Sequence, residues 1–491
     1  MIAGTTATRA SHAPKATTPA RMAEIRYQDV VHRAPVIGIF TSPGLRSARG
    51  FNPRLSSLRR VFFTGPAGRA GNIGGMHAGI RHSIAAGLAG LAVLVALALG
   101  ARAAQAESGA PPSLAVAAQN GMAELLGTGD HSPVAWHYMT GLWGGQVPAN
   151  WWQSALAVQL LVRYAERTDS RSSLYQRVLM RVYKRNLHKP HSTARREFAN
   201  QFMDDTGWWG LAWLAASRYE LYYRGDHTDA ARFLAVAEWD ARYIAGQPKP
   251  CGGIEWSIGT PPDTISNAEF ATLTAELSSY RNSPGPFYNP ALASAWLNDA
   301  STTLAWLEQT GLIDPQTGSV YDGLNASCDL IGGAITYTEG ETAEALTQMG
   351  NALGEPSYYD QAAAFLRYTI SPASELISNG ILEERCERTL GGCDHLHFRR
   401  DLPAYKGLFV DAVSDWADAT HSHAFRSFLR TQAAAVVDNA IRGPNNDIAH
   451  CAIPRTCQFA FHWNAEPDPD PIGVTLGGQE SGLDALIAVL P

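Results

Sequence analysis

From residue 107 onward, apolar residues recur at i, i+3, i+4 and i+7, the spacing that lines one face of a 3.6-residue helix, and no sustained alternation marks a strand. The pattern predicts twelve helices, over 112–126, 150–167, 172–186, 205–223, 229–246, 264–280, 291–311, 339–353, 357–370, 405–417, 420–441 and 480–490. Polar turns separate them, among them Thr168-Asp169-Ser170, Arg224-Gly225-Asp226, Asn282-Ser283-Pro284-Gly285 and Gly354-Glu355-Pro356, each followed by an aromatic- and Ala-rich segment. A loose period of roughly 55–70 residues per helix pair predicts hairpins stacked in a ring that closes on itself, an all-α (α/α)6 toroid. Longer stretches at 187–204, 247–263, 312–338, 371–404 and 442–479 are rich in Gly, Pro, Asp and aromatics. They are expected to be ordered loops at one end of the central cavity.

The N-terminal part breaks this pattern. Its long apolar run, Ile84 to Ala101, follows Met76, Arg81 and His82 and precedes Ala104-Gln105-Ala106, a small-x-small cleavage pattern. Residues 76–106 therefore read as a signal peptide; the competing reading is a retained anchor, since about 18 apolar residues can just span a bilayer. Such leaders begin at a start codon, so Met76 is expected to be the true start and residues 1–75 an upstream extension. That extension holds eleven Lys/Arg against two Asp/Glu without sustained periodicity, and is expected to be disordered rather than a nucleic-acid-binding arm. Residues 107–491 form the predicted folded domain, secreted or periplasmic, monomeric, and without a stable membrane span once the leader is cleaved.

Charge and composition narrow the ligand. Residues 1–106 hold thirteen of the 39 basic and two of the 45 acidic residues, so the mature part keeps 26 against 43, a formal net of −17. Such a surface repels nucleic acid and anionic membranes, whereas a neutral substrate is compatible with it. With 13 Trp and 17 Tyr against only 17% charged residues, flat aromatic faces are plentiful, and they suit ligands with apolar C–H surfaces such as sugars. All six cysteines, Cys251, Cys328, Cys386, Cys393, Cys451 and Cys457, lie in the mature part, where export favours disulfides. Short spacings favour Cys386–Cys393 and Cys451–Cys457, leaving Cys251–Cys328; the alternative is zinc held by Cys386, Cys393, His395 and His397.

The chemistry concentrates in Gln201-Phe202-Met203-Asp204-Asp205-Thr206-Gly207-Trp208-Trp209. One Asp at a helix entry is an ordinary N-cap, but a second Asp and two Trp exceed what capping needs. Adjacent carboxylates repel, so in a partly desolvated cleft one can keep its proton, the split that glycosidic acid catalysis requires. The third carboxylate of the magnesium-binding Asp-Asp-x-x-Asp arrangement of helical prenyl-chain enzymes is missing. The metal reading weakens accordingly, and since nucleotide-binding glycine loops and the serine-hydrolase elbow are missing as well, nucleotide binding and serine hydrolysis lack support.

Several ordered segments resemble glycoside hydrolase family 76, whose characterised members are endo-α-1,6-mannanases and whose fungal relatives are transglycosylase candidates. Asp204-Asp205-Thr206-Gly207-Trp208-Trp209 is similar to the family's Asp-Asp-x-x-Trp-Trp signature, and Cys251-Gly252-Gly253-Ile254-Glu255-Trp256 to its Cys-Gly-Gly-x-x-Trp turn. Ile265-Ser266-Asn267, Tyr321-Asp322-Gly323-Leu324, Thr336-Tyr337-Thr338-Glu339-Gly340, Cys386-Glu387, Cys393-Asp394 and Lys406-Gly407-Leu408-Phe409-Val410 follow in family order. Departures are Phe202-Met203 where tyrosines are usual, Ala268 where an acid is common, and a partial match at His462-Trp463.

The resemblance implies an (α/α)6 fold and a retaining mechanism on α-1,6-mannan, with Asp204 as nucleophile and Asp205 as general acid/base and with no metal and no cofactor. It makes Trp208, Trp209, Trp256, Asn267, Asp322, Thr336 and Tyr337 substrate-binding candidates. All but Asn267 have a plainer reading: packing for the tryptophans, turn stabilisation for Asp322 and Tyr337, and helix capping for Thr336 with Glu339. Lys406 is assigned to structure. Rival readings are mannosyl transfer to another glycan and a non-catalytic glycan-binding toroid.

Overall fold

The computed structural model describes residues 113–127, 132–144, 150–188, 197–389, 392–393, 400–442, 457–464 and 474–491. Among them are twelve α-helices: α1 Leu114–Leu125, α2 Asn150–Arg167, α3 Ser173–Asn186, α4 Met203–Tyr219, α5 His227–Ala245 and α6 Thr264–Asn282, then α7 Pro290–Thr310, α8 Thr336–Leu353, α9 Pro356–Ile370, α10 Leu402–Thr420, α11 Arg426–Ala435 and α12 Leu476–Ile487. Many of their ends carry local signals. Ser172, Asp226, Asp263 and Asn289 accept from free backbone N–H groups at the starts of α3, α5, α6 and α7. Gly311 and Gly354 close α7 and α8 at φ 76° and 68°, a left-handed turn that costs glycine nothing.

The even-numbered helices pack each against the next, α2 on α4, α4 on α6, α6 on α8, α8 on α10 and α10 on α12, and α12 returns onto α2. This closes an inner ring of six. Odd-numbered helices lie outside it, with α5 on α4, α7 on α6, α9 on α8 and α1 on α12. The structure is the expected (α/α)6 toroid. Burial follows the layers: α7 hides Ala293, Trp296, Ala300, Thr303, Leu304 and Leu307, one amphipathic stripe, whereas α6 is buried on every side from Thr264 to Ala275.

That difference explains where the pattern-based boundaries slip. The segment expected at 339–353 starts three residues earlier, at Thr336, because α8 buries the polar Thr336, Thr338 and Glu339 of its first turn, which look solvent-facing in the sequence; the one expected at 405–417 starts at Leu402, with Pro403 in the first turn, where a helix tolerates proline. The expected 420–441 helix is instead α11 followed by a π-turn at Val436–Ala440. Five antiparallel pairs of two-residue strands decorate the loops among the described residues, too short to show alternation in sequence.

Disulfides join Cys251 to Cys328, 77 residues apart, and Cys386 to Cys393. Cys457 is also disulfide-bonded, and its expected partner Cys451 lies outside the described residues. The zinc alternative is thereby corrected, since the Cys386 and Cys393 sulfurs are bonded to each other; His395 and His397 lie outside the described residues. The expected leader and upstream extension also lie outside them. No helix among the described residues is long and apolar enough to cross a membrane.

Candidate active site

The starts of five inner-ring helices, α2, α4, α6, α8 and α10, come together around a cavity of about 670 Å³. Trp152 enters from α2, Asp204, Asp205 and Trp208 from α4, Asp263 from the cap of α6, Tyr337 from α8, and Asp401 and Tyr405 from the start of α10. Loop residues Trp256, Asp322, Leu324 and Ile331 complete the wall.

Capping does not account for the aspartate pair. Phe202 is the N-cap residue of α4 and makes no side-chain capping bond; Asp204 and Asp205 stand inside the first turn, half-buried, facing the cavity. Their partners differ. Asp204 Oδ1 accepts from the Asp205 backbone N–H at 2.8 Å, and its Oδ2 accepts from Trp256 Nε1 at 3.0 Å. Asp205 Oδ2 accepts from the Asn200 amide. Burial, partly offset by these donors, pushes Asp204 up to about 6. Burial and the neighbouring Asp204 charge hold Asp205 well above the usual carboxylate range. With two donors on Asp204 and one on Asp205, the hydrogen bonds favour the charge on Asp204 and the proton on Asp205.

Asp263, Asp322 and Asp401 are raised too, chiefly by burial, and Asp401 accepts from Trp152 Nε1 at 2.9 Å. No Lys, Arg or His lines the cavity among the described residues. Aromatic faces alternate with the acids: Trp152 lies 6.2 Å from Trp208, Phe202 5.1 Å from Trp256, and Tyr337 stacks on Tyr405 at 4.0 Å with planes 8° apart. Flat apolar faces interleaved with acceptors match a pyranose, which presents C–H faces and an equatorial rim of hydroxyl donors.

Of the candidates, Asp204, Asp205, Trp208, Trp256, Asp322 and Tyr337 line this cavity, and Trp256 remains 42% exposed at its mouth. Three do not, and for these the substrate-binding expectation is corrected. Trp209 is fully buried in an aromatic cluster with Trp151, Phe198 and Trp213, because its place on the helix turns it away from Trp208. Asn267 is buried as well. Its Oδ1 accepts from Ile254 N–H, and its Nδ2 donates to the Ile254 and Asp263 carbonyls, fastening the loop that carries Trp256. Thr336 is buried and bonded to Glu384.

Sequence reasoning missed Trp152, Asp263, Asp401 and Tyr405. Trp152, Asp263 and Tyr405 stand within two residues of the start of an alternate predicted helix, 150–167, 264–280 or 405–417, so the hairpin period itself could have found these three; Asp401 lies four residues ahead of the expected start. Among the described residues no group of three His, Cys, Asp or Glu is arranged to hold a metal ion.

A family profile described as glycosyl hydrolase family 76 matches residues 132–465. No curated protein sequence matches the chain. Among solved structures, an inactive variant of the α-1,6-mannanase GH76A of Salegentibacter sp. HEL1_6, with two consecutive aspartates replaced by asparagine and α-1,6-mannotriose bound, is 20% identical, covers 76% of this chain and 97% of its own, and superposes with a TM-score of 0.56. Dfg5 from Chaetomium thermophilum, in complex with glucosamine, is 21% identical over 77% of this chain and 89% of its own, with a TM-score of 0.59. The GH76 α-mannanase BT2949 of Bacteroides thetaiotaomicron is 14% identical over 77% and 95%, with a TM-score of 0.54.

Proposed function

The chain belongs to glycosyl hydrolase family 76, and from that premise we propose that it is a retaining endo-glycosidase cleaving α-1,6-mannosidic linkages in mannan-type polysaccharides. The observation that carries the reading is the aspartate pair at the start of α4, two half-buried carboxyls on one cavity with different hydrogen-bond partners.

In the first step the Asp204 carboxylate attacks the anomeric carbon while the Asp205 carboxyl proton passes to the glycosidic oxygen, so the C–O bond breaks and the leaving chain departs as an alcohol. Asp205, now ionised, takes a proton from water; the water oxygen bonds to the anomeric carbon and releases Asp204. The Asp205 backbone N–H on Asp204 Oδ1 and Trp256 Nε1 on Oδ2 together orient that carboxylate and favour its ionised form. The aromatic faces of Trp208, Tyr337 and Tyr405 offer stacking surfaces for the flanking sugars, and Asp322 offers an acceptor.

The solved GH76A complex holds α-1,6-mannotriose, which supports a mannan chain as the ligand class. Two defined disulfides support a working place outside the reducing cytoplasm. The test is to incubate residues 107–491 with linear α-1,6-mannan and follow the anomeric proton of the first product. An initial α-anomer is expected; an initial β-anomer would sink the retaining mechanism. Products longer than the substrate would show transfer to a second glycan in place of hydrolysis.

A further inference from the structure

Lys406 is fully buried in the inner ring, an environment that an ammonium group tolerates only when well paired. Its Nζ donates to both oxygens of Glu387, at 2.9 and 3.0 Å, and to the Phe461 carbonyl at 2.6 Å, and it lies 4.3 Å from the Phe461 ring centre and 5.0 Å from that of Trp463. Glu387 also contacts His462 Nδ1 at 2.9 Å and accepts the Glu384 backbone N–H at 2.7 Å. Burial alone would raise its carboxyl; Lys406 and His462 hold it below its ordinary value instead. Glu384, three residues back on the same turn, accepts both the backbone N–H and the hydroxyl of Thr336.

These anchors share one geometric consequence. Thr336 immediately precedes Tyr337, and Lys406 immediately follows Tyr405, the two rings that stack at 4.0 Å in the cavity wall. The short 3-10 turn Arg385–Arg388, closed by Cys386–Cys393, therefore grips the first turns of α8 and α10 through Glu384 and Glu387. We infer that Glu387 is a positioning residue: with Glu384 and Lys406 it fixes the spacing of the Tyr337–Tyr405 wall, and the disulfide-closed turn is the clamp that sets this part of the glycan-binding surface. Neither Glu387 nor Lys406 lines the cavity, so their action passes through the tyrosines. A wall of this kind holds ground state and transition state alike, so loosening it raises KM and spares kcat.

The inference rests on the glycosidase reading for its kinetic arm only. Incorporating 3-fluorotyrosine into the mature chain gives fluorine resonances for Tyr337 and Tyr405, identified through Tyr337→Phe and Tyr405→Phe, and the stacked rings shift each other. In Glu387→Gln both resonances should move toward the unstacked position, while KM for linear α-1,6-mannooligosaccharides rises about five- to tenfold and kcat stays within about twofold. Unmoved resonances in folded Glu387→Gln, or moved ones with unchanged KM, or a fall in kcat alone, would overturn it. Should Glu387→Gln fail to fold, the double replacement Cys386→Ser with Cys393→Ser frees the same turn without leaving Lys406 unpaired, and the same outcomes decide. Wild-type protein inactive on α-1,6-mannan, with resonances that respond as expected, would refute the mannan reading and leave the positioning role standing.

Discussion

At the scale of single residues, the split between Asp204 and Asp205 is the quantity to test. Asp204→Asn and Asp205→Asn are each expected to lower kcat on α-1,6-mannan by at least about a thousandfold while oligosaccharide binding, followed by calorimetry, persists. If both variants kept wild-type turnover, the assignment would fall. Since the nucleophile must be ionised and the acid protonated, kcat/KM should be bell-shaped, with an acid limb near the value of about 6 to which burial raises Asp204 and a basic limb set by Asp205. The same shifts carry a stability consequence. A carboxyl raised in the folded state binds its proton more tightly there than in the unfolded chain, so stability is greatest below the ordinary aspartate value of 3.8 and is lost as pH rises toward about 6. Asp204→Asn should therefore raise the melting temperature at pH 7 by on the order of 1–3 °C, measured by calorimetry, with the gain vanishing near pH 3.5.

At the scale of elements, the inner helices approach so closely that small residues become obligatory. A Cβ at Gly340 of α8 would stand 2.7 Å from the Phe409 Cα and 3.1 Å from its backbone nitrogen on α10. Backbone cannot yield as a flexible side chain can, so Gly340→Ala should cost about 2–3 kcal/mol in urea unfolding. Because α8 and α10 carry Tyr337 and Tyr405, the substitution should weaken substrate binding as well. The Cys251–Cys328 bridge acts at the same scale, tying the loop before Trp256 to the hairpin that carries Ile331. Replacing both cysteines by serine is expected to cost about 2–4 kcal/mol.

At the scale of the molecule, the ring gathers the aspartates around one cavity and, among the described residues, keeps cationic side chains out of its lining. A neutral glycan pays no electrostatic penalty in such a field, whereas an anionic one is repelled. The kcat/KM for unmodified α-1,6-mannan should vary less than about twofold between 20 and 500 mM salt. A phosphorylated mannan should be cleaved at least about tenfold less efficiently at the low-salt end and recover as salt screens the repulsion. Equal rates on both polymers at low salt would contradict the acidic-cavity argument.

Local pattern determined a great deal of this protein. The helical period and polar turns specified the hairpins, their order and hence the toroid, because amphipathic outer helices such as α7 advertise their single buried face. Asp204 and Asp205 were legible for a similar reason, as an excess of acid at a helix entry that capping did not require. Tertiary structure alone decided which neighbours reach the cavity. Trp208 and Trp209 are indistinguishable as residue types, yet one lines the site and the other fills the core, since adjacent helix positions point about 100° apart. Asn267 and Thr336 stand beside the expected landmarks but spend their hydrogen bonds on the Trp256 loop and on Glu384, a use that depends on chain segments brought together only by folding. The Tyr337–Tyr405 stack joins residues 68 positions apart that the ring sets 4.0 Å from each other; sequence supplied the two rings, and the closing of the helices made them one wall.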